Sequence, residues 1–274
     1  LEKEGGPTAD TVIAINQGLL ADMLEITGPV QVGQFGKLDS KNYNLLLSYI
    51  IEGKVWGAED PKHILKVFVP AFKEAIMKEE HISSATSKLY KAMQQKHILA
   101  YSADEDIQNL FVSMGISGEA YSPEEDEDYL SVINIATGGT KSEQFMEEQI
   151  YHDTHISDTG KITDKITIQR THQWSDNIYL EWKKTLEKYG FTHMPDSIID
   201  ILGRGENKVS TRIYVPAGSK LIDTNGTDVA TKYDNDLKKT YFFTEMNTKA
   251  DDTSLIWIEY ELPFNLDLDP ASTY

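Results

Sequence analysis

Close to residue 140 the period of the hydrophobic pattern changes from 3.6 towards 2, and this change limits what the chain can fold into. Before it, apolar residues recur at helical spacing. Leu45, Leu46, Tyr49 and Ile50 lie on one face of a helix predicted over 41–52, begun by Asp39 or Ser40 and ended by Gly53. Ile64, Phe68, Phe72 and Ile76 follow every four residues in a helix predicted over 61–80, which Pro70 should kink or interrupt. Helices are also predicted over 83–95, 105–114 and 141–149, and strands over 97–101 and 129–136. Beyond the change, 161–171 alternates on Ile162, Ile166 and Ile168, and 209–215 alternates on Val209, Thr211, Ile213 and Val215. Further strands are predicted at 221–222, 228–233, 240–245 and 254–262, separated by turn residues such as Asn225-Gly226 and Asp251-Asp252. Short strands punctuated in this way predict a β-sandwich. The expected fold class is α+β: a mixed α/β domain over 1–145, then a β-sandwich over 146–274 with a helical insertion near 177–203.

Charge narrows the function. The 274 residues carry 44 acidic against 26 basic side chains, a net charge of −18, and both halves are acidic. Nucleic acid is not an expected partner, because phosphate binding needs clustered Lys and Arg. Electrostatic adhesion to anionic lipid is disfavoured for the same reason. The acidic run SPEEDED at 122–128 reads as a solvated loop. Cysteine is absent, which removes disulfides, thiolate metal sites and Cys nucleophiles and fits an exported bacterial protein. No run of about 18 apolar residues is present to span a membrane. The chain opens LEKEGG rather than with Met, so any signal or anchor is expected in a missing N-terminal part.

The segment Thr11–Val32 has the richest local detail. Val12, Ile13 and Ile15 read as a short buried strand, and Asn16 as the N-cap of a helix with Leu19, Leu20, Met23, Leu24 and Ile26 on its apolar face. Gly28-Pro29 ends that helix, and Val30 and Val32 begin a second strand. The run DTVIAINQGLLADMLEITGPVQV resembles the bacterial family called domain of unknown function 4012, through Asp10, Val12–Ile15, Leu19-Leu20, Leu24 and Thr27-Gly28-Pro29-Val30. Thr11 stands where that family often has Gly. YVPAGSKL at 214–221 and IEYELP at 258–263 resemble its C-terminal half. The resemblance implies an exported, membrane-anchored protein whose activity is unsettled. A more distant similarity is to the LytR–CpsA–Psr cell-wall transferases, which follow such a unit with arginines that bind a polyprenyl pyrophosphate. In the comparable stretch, 45–66, Tyr49 and Asp60 stand in matching places, and Lys54 and Lys62 where cationic groups could serve. The arginines are missing: only Arg170, Arg204 and Arg212 occur, all in the β-rich half. Lysine offers a point charge where arginine clamps pyrophosphate bidentately.

Lys54, Asp60, Lys62 and His63 are therefore the candidate ligand-binding residues, set against a plain reading as a solvated loop and first helical turn. His152, Asp153, His155 and Asp158 contain two His three apart, but on a strand i and i+3 point to opposite faces, and these read as surface residues. Asp223, Asn225 and Asp228 lack the register of a calcium loop, and Asn225-Gly226 reads as a hairpin turn. No glycine-rich phosphate loop, nucleophile elbow or HExxH motif is present. Trp56, Trp174, Trp182 and Trp257 could stack on sugars if exposed, but such residues more often pack.

These readings predict an extracytoplasmic, membrane-anchored cell-envelope module acting by binding or assembly, with a cell-wall glycan or an envelope protein as partner. No catalytic residue, metal or cofactor is assigned. The alternatives are a glycopolymer or phosphoryl transferase using a polyprenyl-pyrophosphate-linked substrate, and a structural spacer.

Overall fold

Asn16 opens the first helix as its residue type predicts: its Oδ1 accepts a hydrogen bond from Gly18 N at 2.9 Å, satisfying one donor of the first turn. In the computed structural model, which describes residues 8–124 and 126–267, this helix is α1 (Gln17–Thr27) and follows β1 (Thr11–Ile15). The opening LEKEGG and Glu125 of the acidic run lie outside the described residues. A hairpin of β2 (Val30–Val32) and β3 (Gly36–Leu38) comes next, then α2 (Tyr43–Glu52), α3 (His63–Ile76), α4 (Glu79–Gln94), β4 (Ile98–Ser102) and α5 (Glu105–Ser113). α3 runs through Pro70, and the chain breaks instead at Met77-Lys78. α1, α4 and β4 share a core of Leu19, Met23, Ala85, Ala92 and Ile98. The four inward residues predicted for α2 are all buried.

β1 and β2 do not pair with each other. β1 pairs antiparallel with β4, and β2 pairs antiparallel with β3, so this half holds two separate two-stranded sheets. The strand predicted at Val12–Ile15 forms, but it is not buried: Ile13 is 58% and Ile15 62% exposed. Pairing with β4 satisfies the backbone of β1 on one side, and its side chains stay exposed among the described residues.

The second half is strand-rich: β5 (Ser131–Ala136), β6 (Met146–Ile156), β7 (Lys161–His172), β8 (Asn207–Val215), β9 (Lys220–Thr224), β10 (Ala230–Asp234), β11 (Lys239–Thr248) and β12 (Thr253–Asn265). α6 (Asp176–Lys188) and α7 (Asp196–Ile199) lie between β7 and β8. One sheet has the order β10-β11-β8-β5 and the other β6-β7-β12-β9. Alternate residues of β7, β8, β11 and β12 meet in one core that includes Ile166, Ile213, Phe242 and Ile258. Helix (33%) and strand (34%) are nearly equal, and every pairing among the described residues is antiparallel, which makes the chain α+β.

Two sequence expectations change here. The helix predicted at 141–149 is a short 3₁₀ turn (Ser142–Phe145) and the start of β6, which pairs with β7 over eleven residues. Asn225-Gly226 is no hairpin turn: it lies on the passage from β9 in one sheet to β10 in the other. Asn225 accepts from Trp257 N at 2.6 Å and donates to Leu255 O at 3.3 Å, taking over backbone groups of β12 where β9 departs.

Two compact units result. One comprises residues up to Ala120 with Lys184–Thr192; the other comprises Tyr121–Lys183 and residues from His193 onward. The sequence reading divides the chain at 145–146; the unit boundary falls earlier because β5 pairs with β8. Lys184–Thr192 belongs to the first unit through Tyr189, which stacks on Phe35 at 5.4 Å, and Phe191, which packs on Tyr49 at 5.1 Å.

Candidate functional site

The alternation of β7 turns Ile162, Asp164, Ile166, Ile168, Arg170 and His172 inward. Two of these are charged, and they are treated differently. Arg170 is enclosed by acceptors: Glu143 at 2.9 Å, Glu148, and Asn207 Oδ1 at 3.3 Å, with only its Nε left over. That is the compensation a buried guanidinium needs. Asp164 has no lysine or arginine partner among the described residues. Its side chain is 0% exposed, and its Oδ2 has no hydrogen-bond partner.

The carboxylate of Asp164 instead belongs to a trio with His152 and Asp128, whose ligand atoms lie within 4.8 Å of one another. The register of the β6–β7 pair sets Thr154 opposite Asp164 and His152 opposite Ile166. His152 and Asp164 are thus diagonal neighbours on one face. Thr154 Oγ1 donates to Asp164 Oδ1 at 2.6 Å. His152 Nε2 lies 3.4 Å from Asp164 Oδ1 and 3.7 Å from Asp128 Oδ2. Asp128, three residues before β5, accepts from Tyr129 N through Oδ1 at 2.7 Å, which leaves Oδ2 facing the imidazole. The side chains of His152 and Asp128 are 30% and 20% exposed, so the trio reaches solvent on one side.

Electrostatics couple these groups. Hydrogen bonding to Asp164, with the charges of Asp164 and Asp128, pushes the His152 imidazole above its ordinary range despite partial burial. Burial and the neighbouring Asp164 charge push the Asp128 carboxyl up. Two carboxylates around one imidazole nitrogen can hold a proton or a cation.

The sequence-predicted group behaves otherwise. Asp60 and His63 meet at 3.3 Å, and Lys66, which the sequence does not single out, pairs with Asp60 at 2.7 Å. That hydrogen bond holds the Asp60 carboxyl below its usual range. Lys54 and Lys62 are exposed and form no ion pair among the described residues. Trp56 lies edge-on to Phe35, while Trp174 and Trp182 pack on Phe145. Lys165 lies over Trp257 at 4.2 Å.

Sequence reasoning weighs His152 but pairs it with its near neighbours, reads Asp128 as part of a solvated loop, and passes over Asp164. One signal is available: in KITDKITI, Asp164 interrupts the inward-facing series of isoleucines.

Two surfaces complete the inventory. A hollow of about 540 Å³ is lined by Asp228, Glu245, Asn247 and Ser254 beside Met246 and Ile256. The β1–β4 sheet exposes Val12, Ile13, Ile15, Leu99 and Tyr101. No protein-family model, curated protein or solved structure matches this chain.

Proposed function

We propose that this chain is an extracytoplasmic module of a bacterial cell envelope, working by assembly with an envelope protein rather than by catalysis. The observation that carries this reading is the β1–β4 sheet. β1 pairs on one side only among the described residues, and it presents apolar side chains on both faces. An unpaired edge with exposed apolar side chains accepts a strand from another chain. Exposed apolar side chains along such an edge support a role in association. The partner is a protein that supplies such a strand. The acidic, cysteine-free composition and the resemblance of 10–32, 214–221 and 258–263 to domain of unknown function 4012 support placement outside the cytoplasm.

In this reading the second unit is a β-sandwich, supported by its two four-stranded sheets and their common core. The first unit is an incomplete relative of the LytR–CpsA–Psr fold, supported by its order of strand, capped helix, Gly-Pro turn and strand. A second reading attaches to the hollow, whose carboxylate, amide and hydroxyl lining suits the hydroxyls of a cell-wall glycan.

The test is site-specific photo-crosslinking from position 13 in cells producing the protein, followed by fractionation. Assembly at β1 predicts an adduct with a discrete envelope protein. Adducts confined to cytoplasmic proteins contradict the placement, and the lack of any adduct from an envelope-located protein contradicts the role of β1.

A further inference from the structure

We infer that Asp128, His152 and Asp164 form a binding site for a first-row divalent transition-metal cation of the Zn²⁺ type. This goes beyond the envelope reading and does not depend on it.

The two separations from the His152 nitrogen suit a coordination shell, and all three ligand atoms lie within 4.8 Å of one another. With metal–nitrogen and metal–oxygen bonds of about 2.0–2.2 Å, neighbouring ligand atoms of a tetrahedral site stand about 3.4 Å apart. Nε2 of His152 lies 3.4 Å from one carboxylate oxygen and 3.7 Å from the other. The second observation is Asp164 itself, fully buried within the trio with Oδ2 unpartnered. Oδ1 of this carboxylate accepts from Thr154, but its buried Oδ2 has no donor among the described residues, and a cation offsets the cost of that.

The donor set names the class. One imidazole nitrogen and two carboxylates suit Zn²⁺ or Mn²⁺, whereas Ca²⁺ and Mg²⁺ prefer shells made of oxygen. The outer groups are in place: Thr154 Oγ1 holds Asp164, and the Tyr129 N–H holds Asp128, so both carboxylates are oriented towards the imidazole. Coordination through Nε2 places the imidazole proton on Nδ1. Three protein ligands leave the fourth position to water on the side where His152 and Asp128 meet solvent. The cation would tie the segment before β5 in one sheet to β6 and β7 in the other.

The experiment is calorimetric titration of the chelator-treated protein with Zn²⁺ alone, repeated with Mn²⁺, Ca²⁺ and Mg²⁺ and in the variants Asp128→Asn and His152→Ala. Both substitutions fall on partly exposed side chains, so circular dichroism can confirm that each variant is folded; Asp164→Asn carries the risk of misfolding. Co²⁺ then reports geometry through its visible absorption. The inference predicts one saturable Zn²⁺ site, weakened at least tenfold in each variant, with the intense bands of tetrahedral Co²⁺ lost in both. Zn²⁺ binding unchanged in the folded variants, absent from the parent protein, or weaker than Ca²⁺ binding would overturn it.

Discussion

His172 shows how one buried side chain can make a whole unit sensitive to pH. Its Nδ1 accepts from Trp174 N at 3.3 Å, and its Nε2 faces Gly205 O at 3.4 Å. Only the neutral imidazole with its proton on Nε2 satisfies both contacts. Burial pushes the imidazole below its ordinary value of about 6.5. The folded protein therefore binds this proton more weakly than the unfolded chain does. Stability from this group is complete above the unfolded value and declines as pH falls from about 6.5 towards the lowered folded value. Denaturant titrations between pH 7.5 and 5 are expected to show a loss of stability that is smaller in His172→Gln. Identical pH profiles for the two proteins would show that His172 is not the group responsible. The sequence presents this residue as one of seven scattered His. Its inward position follows from the alternation of 161–171, but the contacts that select its tautomer come from Trp174 and from Gly205, 33 residues away.

Elements were legible wherever one face is buried by neighbours of the same segment. The inward residues of β7 and β8 follow directly from alternation, and those of α2 from helical spacing. β6 was not legible, because all eleven of its residues are exposed or half-buried without sustained alternation, as an edge strand allows. β1 was legible as a strand but not in its exposure, since burial depends on what covers it. The candidate trio was hidden for a related reason: its members come from three segments, β6 and β7 joined by strand pairing and Asp128 just before β5 of the other sheet. Gly160 illustrates what the β6–β7 hairpin requires. Its φ is +77°, and a Cβ there would lie 2.0 Å from Leu266 O. Both strain and steric conflict oppose a side chain, so Gly160→Ala is expected to destabilise the protein by more than about 1 kcal/mol. Thermal denaturation checks this; an unchanged midpoint would contradict the turn geometry.

For the whole molecule, the two units present different kinds of surface. The second unit gathers residues of both four-stranded sheets into one apolar core, with buried Arg170 compensated by Glu143 and Glu148 and buried Asp164 placed in the trio. The first unit leaves apolar residues of β1 (Val12, Ile13, Ile15) and of β4 (Leu99, Tyr101) exposed. A net charge of −18 maintains repulsion between copies of the chain, so the apolar edge is better matched to a different, strand-donating partner than to self-association. The measurement that bears most directly on this account is co-sedimentation of the purified protein with washed bacterial envelopes, comparing the parent with Ile13→Asp/Ile15→Asp. Both substituted side chains are exposed, so the fold is expected to survive, and circular dichroism verifies it. The account predicts saturable binding that falls at least tenfold in the variant. Equal binding of the folded variant and the parent would contradict a role for β1 and direct attention to the hollow beside Asp228 and Glu245.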